Sequence, residues 1–362
     1  MALQCGIIGI IGSGKTSIFN CISNTKAVTE SFSNKTNVGV VEVPDDRLYV
    51  LDKLEHSNRI VHATVAIVDI PGLVRSAGNN ENSGNKFLAD IRNTDALIHV
   101  VRCFDEPTLP HPDITIDPIR DIENIEFELQ ARDLESVEKK IIRFEKQIKA
   151  GDKKAKRGIE VMQIYKSHIE SFKPARIIEI SEQDKRFVDD LCLLSAKKVL
   201  YVANVDSKSA VTGNNYSNKM YDYLKQQNAG MIIIAGKLEA EIAELESTDD
   251  RNMFLEDAGL KEPGVNKLVR AAYELLNLRT FFTVGPKEIK AWTIHKGMTA
   301  PQAAGVIHSD LERGFIRAEV MKYIDYTTLK TEHACKEKGK LFVEGKNYIV
   351  EDGDILNIRF NV

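Results

Sequence analysis

Gly9-Ile10-Ile11-Gly12-Ser13-Gly14-Lys15-Thr16 lies between an apolar run, Gln4 to Ile10, and an amphipathic one that begins Lys15-Thr-Ser-Ile-Phe-Asn-Cys-Ile. Gly-x4-Gly-Lys-Thr between a strand and a helix is a phosphate-binding loop. Glycines at positions 9 and 14 let the backbone turn its N–H groups inward, so that Gly12, Ser13, Gly14 and the start of the helix through Ser17 form an anion nest. Lys15 is placed to reach the β- and γ-phosphates, and the Thr16 hydroxyl to ligate Mg2+. A glycine-rich turn without a ligand would look similar only in isolation.

Working outward, strand-like runs recur at Val38–Val43, Val65–Asp69, Leu97–Phe104, Val199–Val205 and Met231–Ala235, with helical or loop segments between them. Near-continuous apolar strands alternating with helices predict a parallel sheet covered on both faces, an α/β layer. A last helix, Val265 to Leu278, is expected to close it. The layer is interrupted over 122–198, which is rich in Glu, Lys, Gln and Arg. There Leu134, Val137, Ile141, Phe144 and Ile148 are spaced as a coiled-coil seam. Gly151-Asp152 and Gly158 break the pattern, and Met162, Tyr165, Ile169 and Phe172 resume it on a returning arm. From Thr280 onward, short strand-like runs with turn residues and one helix near Ala300–Leu311 predict a small α+β module. The expected parts are a nucleotide domain (1–121 and 199–279), an inserted antiparallel helical hairpin (122–198) and a C-terminal domain (280–362).

Asp69-Ile70-Pro71-Gly72 ends the strand after Val65. An aspartate there can hold Mg2+ through water, and the Gly72 N–H can sense a γ-phosphate. Leu73 stands where small GTPases carry the glutamine that orients the attacking water, so turnover is expected to be slow or to use another group. Guanine is usually read by Asn-Lys-x-Asp after a later strand, because its acid accepts from two ring donors. Here that loop is Asn204-Val205-Asp206-Ser207. Asn204 is retained as a base reader, but Ser207 cannot make the paired acceptor, which favours ATP and makes GTP the lesser candidate.

The 362 residues carry a net charge of −4, with 43% apolar and 28% charged side chains, an ordinary globular composition. No apolar run approaches membrane-span length. Five scattered cysteines without a C-x-x-C pair read as reduced thiols, and no export signal is seen, so a cytoplasmic location is expected. Between Val137 and Arg176 stand 12 Lys/Arg and 5 Asp/Glu, or +7 in 40 residues, leaving −11 on the remainder. A positive hairpin on an acidic body suits contact with an RNA backbone. A solvated helix face with ordinary charge pairing would give the same count. Lys153, Lys154, Lys156 and Arg157, near the hairpin tip, are the candidates for that contact.

Taken together, Cys5-Gly-Ile-Ile-Gly, Asn37-Val-Gly-Val-Val-Glu-Val-Pro-Asp, Asp69-Ile-Pro-Gly-Leu-Val, Gly84-Asn-Lys-Phe-Leu-Ala-Asp-Ile-Arg, His99-Val-Val-Arg-Cys-Phe, Leu238-Glu-Ala-Glu-Ile-Ala-Glu-Leu and the terminal Asn357-Ile-Arg-Phe-Asn-Val resemble the YchF ribosome-binding ATPases of the Obg-related group, across essentially the whole chain. The resemblance implies a GTPase-like P-loop domain with an inserted coiled coil and a C-terminal TGS (ubiquitin-like) domain. It further implies Mg2+, a preference for ATP, and binding to the ribosome or ribosomal RNA through hairpin and TGS domain. No membrane partner is implied, and a monomer is expected. Carried over by position, Thr16 and Ser33 correspond to metal ligands in the phosphate loop and first switch. His111 corresponds to a histidine acting in hydrolysis, Asn204 to the base reader, and Ala235-Gly236-Lys237 to the loop behind the base. The chain departs from the family pattern at Ile11-Gly12-Ser13, at Phe32–Thr36, at Gly78–Gly84 and at Ser207. A nucleotide-sensing, RNA- or ribosome-binding module with negligible turnover is the competing reading.

Overall fold

β-Branched and aliphatic runs bounded by glycine or charged residues become strands in the computed structural model, which describes residues 3–23, 37–71, 81–109, 111–113 and 115–361. The strands are β1 (Gln4–Ile8), β2 (Asn37–Glu42), β3 (Ile60–Val61), β4 (Thr64–Asp69), β5 (Ala96–Cys103), β6 (Lys198–Val205), β7 (Met231–Ile234), β8 (Leu278–Thr283), β9 (Ile289–His295), β10 (Phe315–Lys322), β11 (Leu341–Glu344) and β12 (Asp354–Phe360). They form two six-stranded sheets, ordered β2-β4-β1-β5-β6-β7 and β11-β10-β12-β8-β9-β3.

In the first sheet β1 pairs in parallel with both β4 and β5, and β5–β6 and β6–β7 are parallel as well. Every residue of β5 is buried, as expected for a strand covered on both faces. Apolar side chains on one face, among them Ile8, Val68 and Leu97, pack with Phe87, Leu88 and Ile91 and with Ile125 and Leu129. On the other, Val101, Tyr201 and Ala203 pack with Met220, Leu224, Leu238 and Ile242. This α/β layer brings the C-terminal ends of β1, β4 and β6 to one edge, where ligands of such folds bind.

Two helices make the hairpin. Asp117 accepts from the N–H groups of Ile119 and Arg120, and Pro118 opens the first helix, which runs unbroken to Lys149. A turn at Ala150–Lys153 leads into the return helix, Lys154–Glu170. Val137, Phe144, Val161, Met162, Tyr165 and Ile169 form the seam. Three details differ from the spacing argument. Gly158 is no breaker: it sits inside the return helix, where an added Cβ would lie 2.8 Å from the Phe144 ring, so the missing side chain admits an aromatic. Ile148 and Phe172, read as seam residues, are exposed: Ile148 lies in the last turn of the first helix and Phe172 beyond the end of the return helix.

The chain separates into two compact units, 1–39 with 66–268 and 40–65 with 269–362. The second unit therefore gathers residues 40–65 with the C-terminal strands, a grouping that contiguous parsing does not contain. Its cause is a short parallel pairing of Ile60 and Val61 with Ile289 and Lys290, supported by Arg47, which spans Asp45 and Asp352 at 2.7 Å each. The unit is α+β: helix Ala300–Ile307 packs Ala300, Ala303 and Ala304 on a mixed sheet with Phe281, Ile294, Phe315 and Leu356. The helix expected to reach Leu311 is interrupted at His308, whose extended backbone caps a second short helix, Ser309–Arg313. Strand β10 carries a charged, half-alternating sequence that gave no strand signal, yet it pairs with both β11 and β12. Among the described residues no helix is long and apolar enough to cross a membrane.

Candidate functional site

The loop between β1 and the helix Lys15–Ser23 has the backbone that glycine alone tolerates. An added Cβ at Gly9 would lie 2.3 Å from the Val100 carbonyl and one at Gly14 2.2 Å from Asn204 Nδ2. Gly12 and Gly14 have φ of 78° and 90°. These conformations leave the first N–H groups of the helix unpaired and facing the loop's concavity.

Lys15 folds back over that loop and donates to the Ile10 carbonyl at 2.8 Å. It is 7% exposed, and burial pushes its ammonium down to about 8 despite the nearby Asp69. A buried cation whose one hydrogen-bond partner among the described residues is a carbonyl can take further negative charge, which phosphate oxygens would supply.

Thr16 donates its hydroxyl to Asp69 Oδ2 at 3.0 Å. Asp69 ends β4, in register with Ile7 of β1, so the sheet itself delivers the carboxylate to the loop. Burial pushes its carboxyl above the usual range while Lys15 and Thr16 pull the other way. Its Oδ1 is buried without a hydrogen-bond partner among the described residues. A buried carboxylate oxygen lacking a donor, beside a hydroxyl and a phosphate cradle, is a donor set suited to a hard divalent cation such as Mg2+. Two other residues expected here, Ser33 and Gly72, lie outside the described residues, as do Leu73 and most of both switch segments. Ser17 follows Thr16 in the first helical turn, and the fully buried Ser13 hydroxyl has no partner among the described residues.

Asn204, at the end of β6, is doubly engaged. Its Nδ2 donates to the Ser13 carbonyl at 2.8 Å and its Oδ1 accepts from the Gly236 N–H at 2.9 Å. It thus braces the phosphate loop against the N-terminus of the helix Gly236–Glu244. Asp206, two residues on, accepts from Ser209 at 2.9 Å and from Asn214 at 3.3 Å. Both bonds fall on Oδ2 of this exposed side chain, and Oδ1 takes part in neither.

The loop after β5 is organised by a group the sequence reading passed over. Arg102 is 2% exposed and donates to the carbonyls of Phe104, Glu106 and Leu109 at 3.2, 2.9 and 3.2 Å. This loop leads to His111, whose ring is also engaged at both nitrogens. Nδ1 lies 2.9 Å from the Asp113 carbonyl and accepts from the Asp113 N–H at 3.1 Å, and Nε2 lies 3.2 Å from Asp121 Oδ2. Asp121 is buried in the first turn of the Pro118–Lys149 helix, and burial raises its carboxyl against the pull of His111. Arg102 falls within the quoted stretch His99–Phe104 but has no assigned role there, and Asp121 carries no motif.

Two family models match the chain. One, described as 50S ribosome-binding GTPase, covers residues 4–146, and the YchF-GTPase C-terminal model, described as a protein of unknown function (DUF933), covers 278–361. The chain is 45% identical to the ribosome-binding ATPase YchF of Bacillus subtilis (strain 168) and 40% identical to that of Escherichia coli O157:H7, in each case over the full length of both chains. Among solved structures it resembles the Schizosaccharomyces pombe YchF GTPase, with a TM-score of 0.86 at 30% identity, covering 99% of this chain and 97% of that one. With the phosphate loop, the Thr16–Asp69 pair and the doubly wound sheet in place, the chain belongs to the YchF family.

Proposed function

We propose that the chain is a ribosome-associated nucleotide hydrolase of the cytoplasm that binds ATP, and GTP less well, with Mg2+ and turns it over slowly. The observation that carries this reading is the convergence of Lys15, Thr16 and Asp69 on the loop Gly9–Thr16. Gly9, Gly12, Ser13, Gly14 and Ser17 supply the phosphate cradle. Gly72 is expected to sense the γ-phosphate and Ser33 to join Thr16 and Asp69 as a metal ligand, both outside the described residues, and Gly236 backs the base. Lys15 neutralises charge on the β- and γ-phosphates. Thr16 and Asp69 would hold Mg2+, which would supply further neutralisation of phosphate charge. The base is selected without the paired acceptor of guanine readers, since Ser207 has only a hydroxyl where they carry an acid. Ribosome association is supported by the names of the relatives, and on this reading the hairpin (122–198) and the C-terminal domain (280–362) are the parts that make the contact.

His111 acts in hydrolysis on this reading, in place of the side chain that Leu73 cannot provide. Single-turnover hydrolysis by His111→Ala should fall at least ~100-fold, the usual worth of a positioned acid–base group, with ATP affinity retained. Calorimetry showing tighter GTP than ATP binding would refute the base preference. A second reading, a nucleotide-sensing module with negligible turnover, is favoured by the engagement of both His111 ring nitrogens. Single-turnover hydrolysis by the parent, with and without ribosomes, separates the two, and a rate no faster than uncatalysed hydrolysis in both cases would establish the second reading.

A further inference from the structure

At the foot of the hairpin, away from the phosphate loop, lies a cavity of about 730 Å3 bounded by the start of the first hairpin helix, the segment after the return helix, and the helix Asn215–Lys225. Its mouth is aromatic. Phe127 and Phe172 are 54% and 73% exposed, and their rings stack with centroids 6.1 Å apart and planes 23° from parallel. Phe172 has φ of 57°, a conformation that follows many helices but is normally taken by glycine or asparagine. The fold gains little from a phenylalanine there, since the ring points to water.

The interior is polar but electrically closed. Arg176 and Glu126 pair through two hydrogen bonds of 2.7 and 3.1 Å, and Tyr201 donates to the same carboxylate at 3.0 Å. Gln130, one helical turn from Phe127 and on the same face, is 5% exposed and lines the cavity. Its amide makes no hydrogen bond among the described residues and is not among the enclosed polar atoms, so it is open to whatever enters the cavity. An amide offers a donor and an acceptor side by side.

We propose that this cavity takes an unpaired nucleobase of an RNA strand, stacked on Phe127 and Phe172 and read at its edge by Gln130. The class follows from the lining. A phosphate or carboxylate would find Arg176 already neutralised, and a purely apolar group would leave Gln130 unsatisfied. A planar ring with edge donors and acceptors satisfies both surfaces, which is how single-stranded RNA is held. Of the cations on 137–176, Lys139, Lys140, Arg157 and Arg176 are met by Glu135, Asp190, Asp184 and Glu126 outside the segment, and the remaining surplus offers the strand's backbone a path along the arm that ends at this mouth. The proposal rests on the ribosome-contact reading and names the chemistry by which one part of that surface recognises its partner.

The test uses the full chain and a single-stranded RNA 12-mer carrying one 2-aminopurine, whose fluorescence is quenched by stacking. Binding should quench it. Phe172→Gly should abolish the quench and weaken binding about 5- to 100-fold, the worth of one base–aromatic stack. Because glycine suits the backbone at 172, that variant should melt no lower than the parent, so a loss of binding is not a loss of fold. Gln130→Leu should weaken binding about 2- to 10-fold, the worth of a hydrogen bond. RNA binding without quenching, or with an unchanged quench in Phe172→Gly, would overturn the proposal. So would perturbation of the Phe127 and Phe172 resonances by a tryptophan-bearing peptide but not by nucleosides, which would assign the cavity to a protein side chain. Ribosome co-sedimentation separates the two levels. If the parent and Phe172→Gly sediment equally with ribosomes, the base pocket fails and ribosome contact stands. If the parent does not sediment, ribosome contact fails too.

Discussion

Asn204 donates to the carbonyl of Ser13 at 2.8 Å across 191 residues of sequence, and its other amide atom receives the Gly236 N–H. A residue named for reading a base is thus also a strut for the loop that holds the phosphates. Affinity for phosphate and affinity for base are therefore mechanically joined at one side chain.

Asn204→Ala should lower affinity for ATP and GTP alike, because the loop loses its brace before any base is read. Two buried groups, the Ser13 carbonyl and the Gly236 amide, would be left without partners, at about 1–3 kcal/mol each. Urea unfolding without nucleotide should show a loss of that size. A variant that discriminated between ATP and GTP differently while keeping its stability would show that the strut role is minor.

Arg102 is a local organiser, with three carbonyl acceptors two, four and seven residues on, in the loop 104–109. Replacing it with Met keeps its apolar length but leaves those carbonyls unpaired. We expect a loss of about 2–4 kcal/mol and new proteolytic cleavage between residues 104 and 113. Arg102→Lys should fall between, since one ammonium cannot span the three sites. Retained protease resistance in Arg102→Met would show that the loop is held by other contacts.

Part of this arrangement was legible in the chain and part was not, for a physical reason. Gly9, Gly14, Lys15, Thr16 and Asp69 are constrained by chemistry that repeats at fixed local spacing, so they could be read directly, as could the strands of the first sheet. Pairings that depend on chain closure leave no such local trace. Ile60 and Val61 form only a two-residue strand, yet they carry residues 40–65 into the C-terminal unit. Strand β10 owes its place to neighbours on both sides more than to its own alternation. Gly158 looked like a helix breaker because its spacing cannot reveal the Phe144 ring above it. The engagement of His111 with Asp121 joins residues ten positions apart around a helix start, with no periodic signature.

His99 supplies a pH-dependent test of the first sheet. Its ring is fully enclosed against Tyr201, and burial, with Lys15 and Arg176 nearby, pushes it down to about 3. The folded chain therefore binds fewer protons than the unfolded one between about pH 6.5 and 3, so stability falls as pH drops through that window and is unaffected above it. At pH 5 the deficit should be about 2 kcal/mol, from ~1.36 kcal/mol per pH unit. His99→Gln, compared with the parent by urea titration at pH 7.5 and pH 5, should flatten the acid loss by that amount. Equal acid losses in the two proteins would mean that the ring titrates normally.

The Thr16–Asp69 pair yields a prediction that separates metal binding from phosphate binding. Thr16→Ala removes the hydroxyl but leaves the glycines and Lys15 in place, and Asp69 Oδ2 then loses its donor at 3.0 Å. Affinity for ATP in excess Mg2+ should fall about 10- to 100-fold, whereas affinity measured in EDTA should change little, because the backbone cradle and Lys15 are untouched. Asp69→Asn keeps an acceptor for the Thr16 hydroxyl but weakens cation binding, so it should show the same Mg2+-selective loss. It should also gain apo stability, since it replaces a carboxyl whose ionised form is opposed by burial. Equal losses with and without Mg2+ in both variants would place the defect in the loop's shape and remove the pair from the metal site.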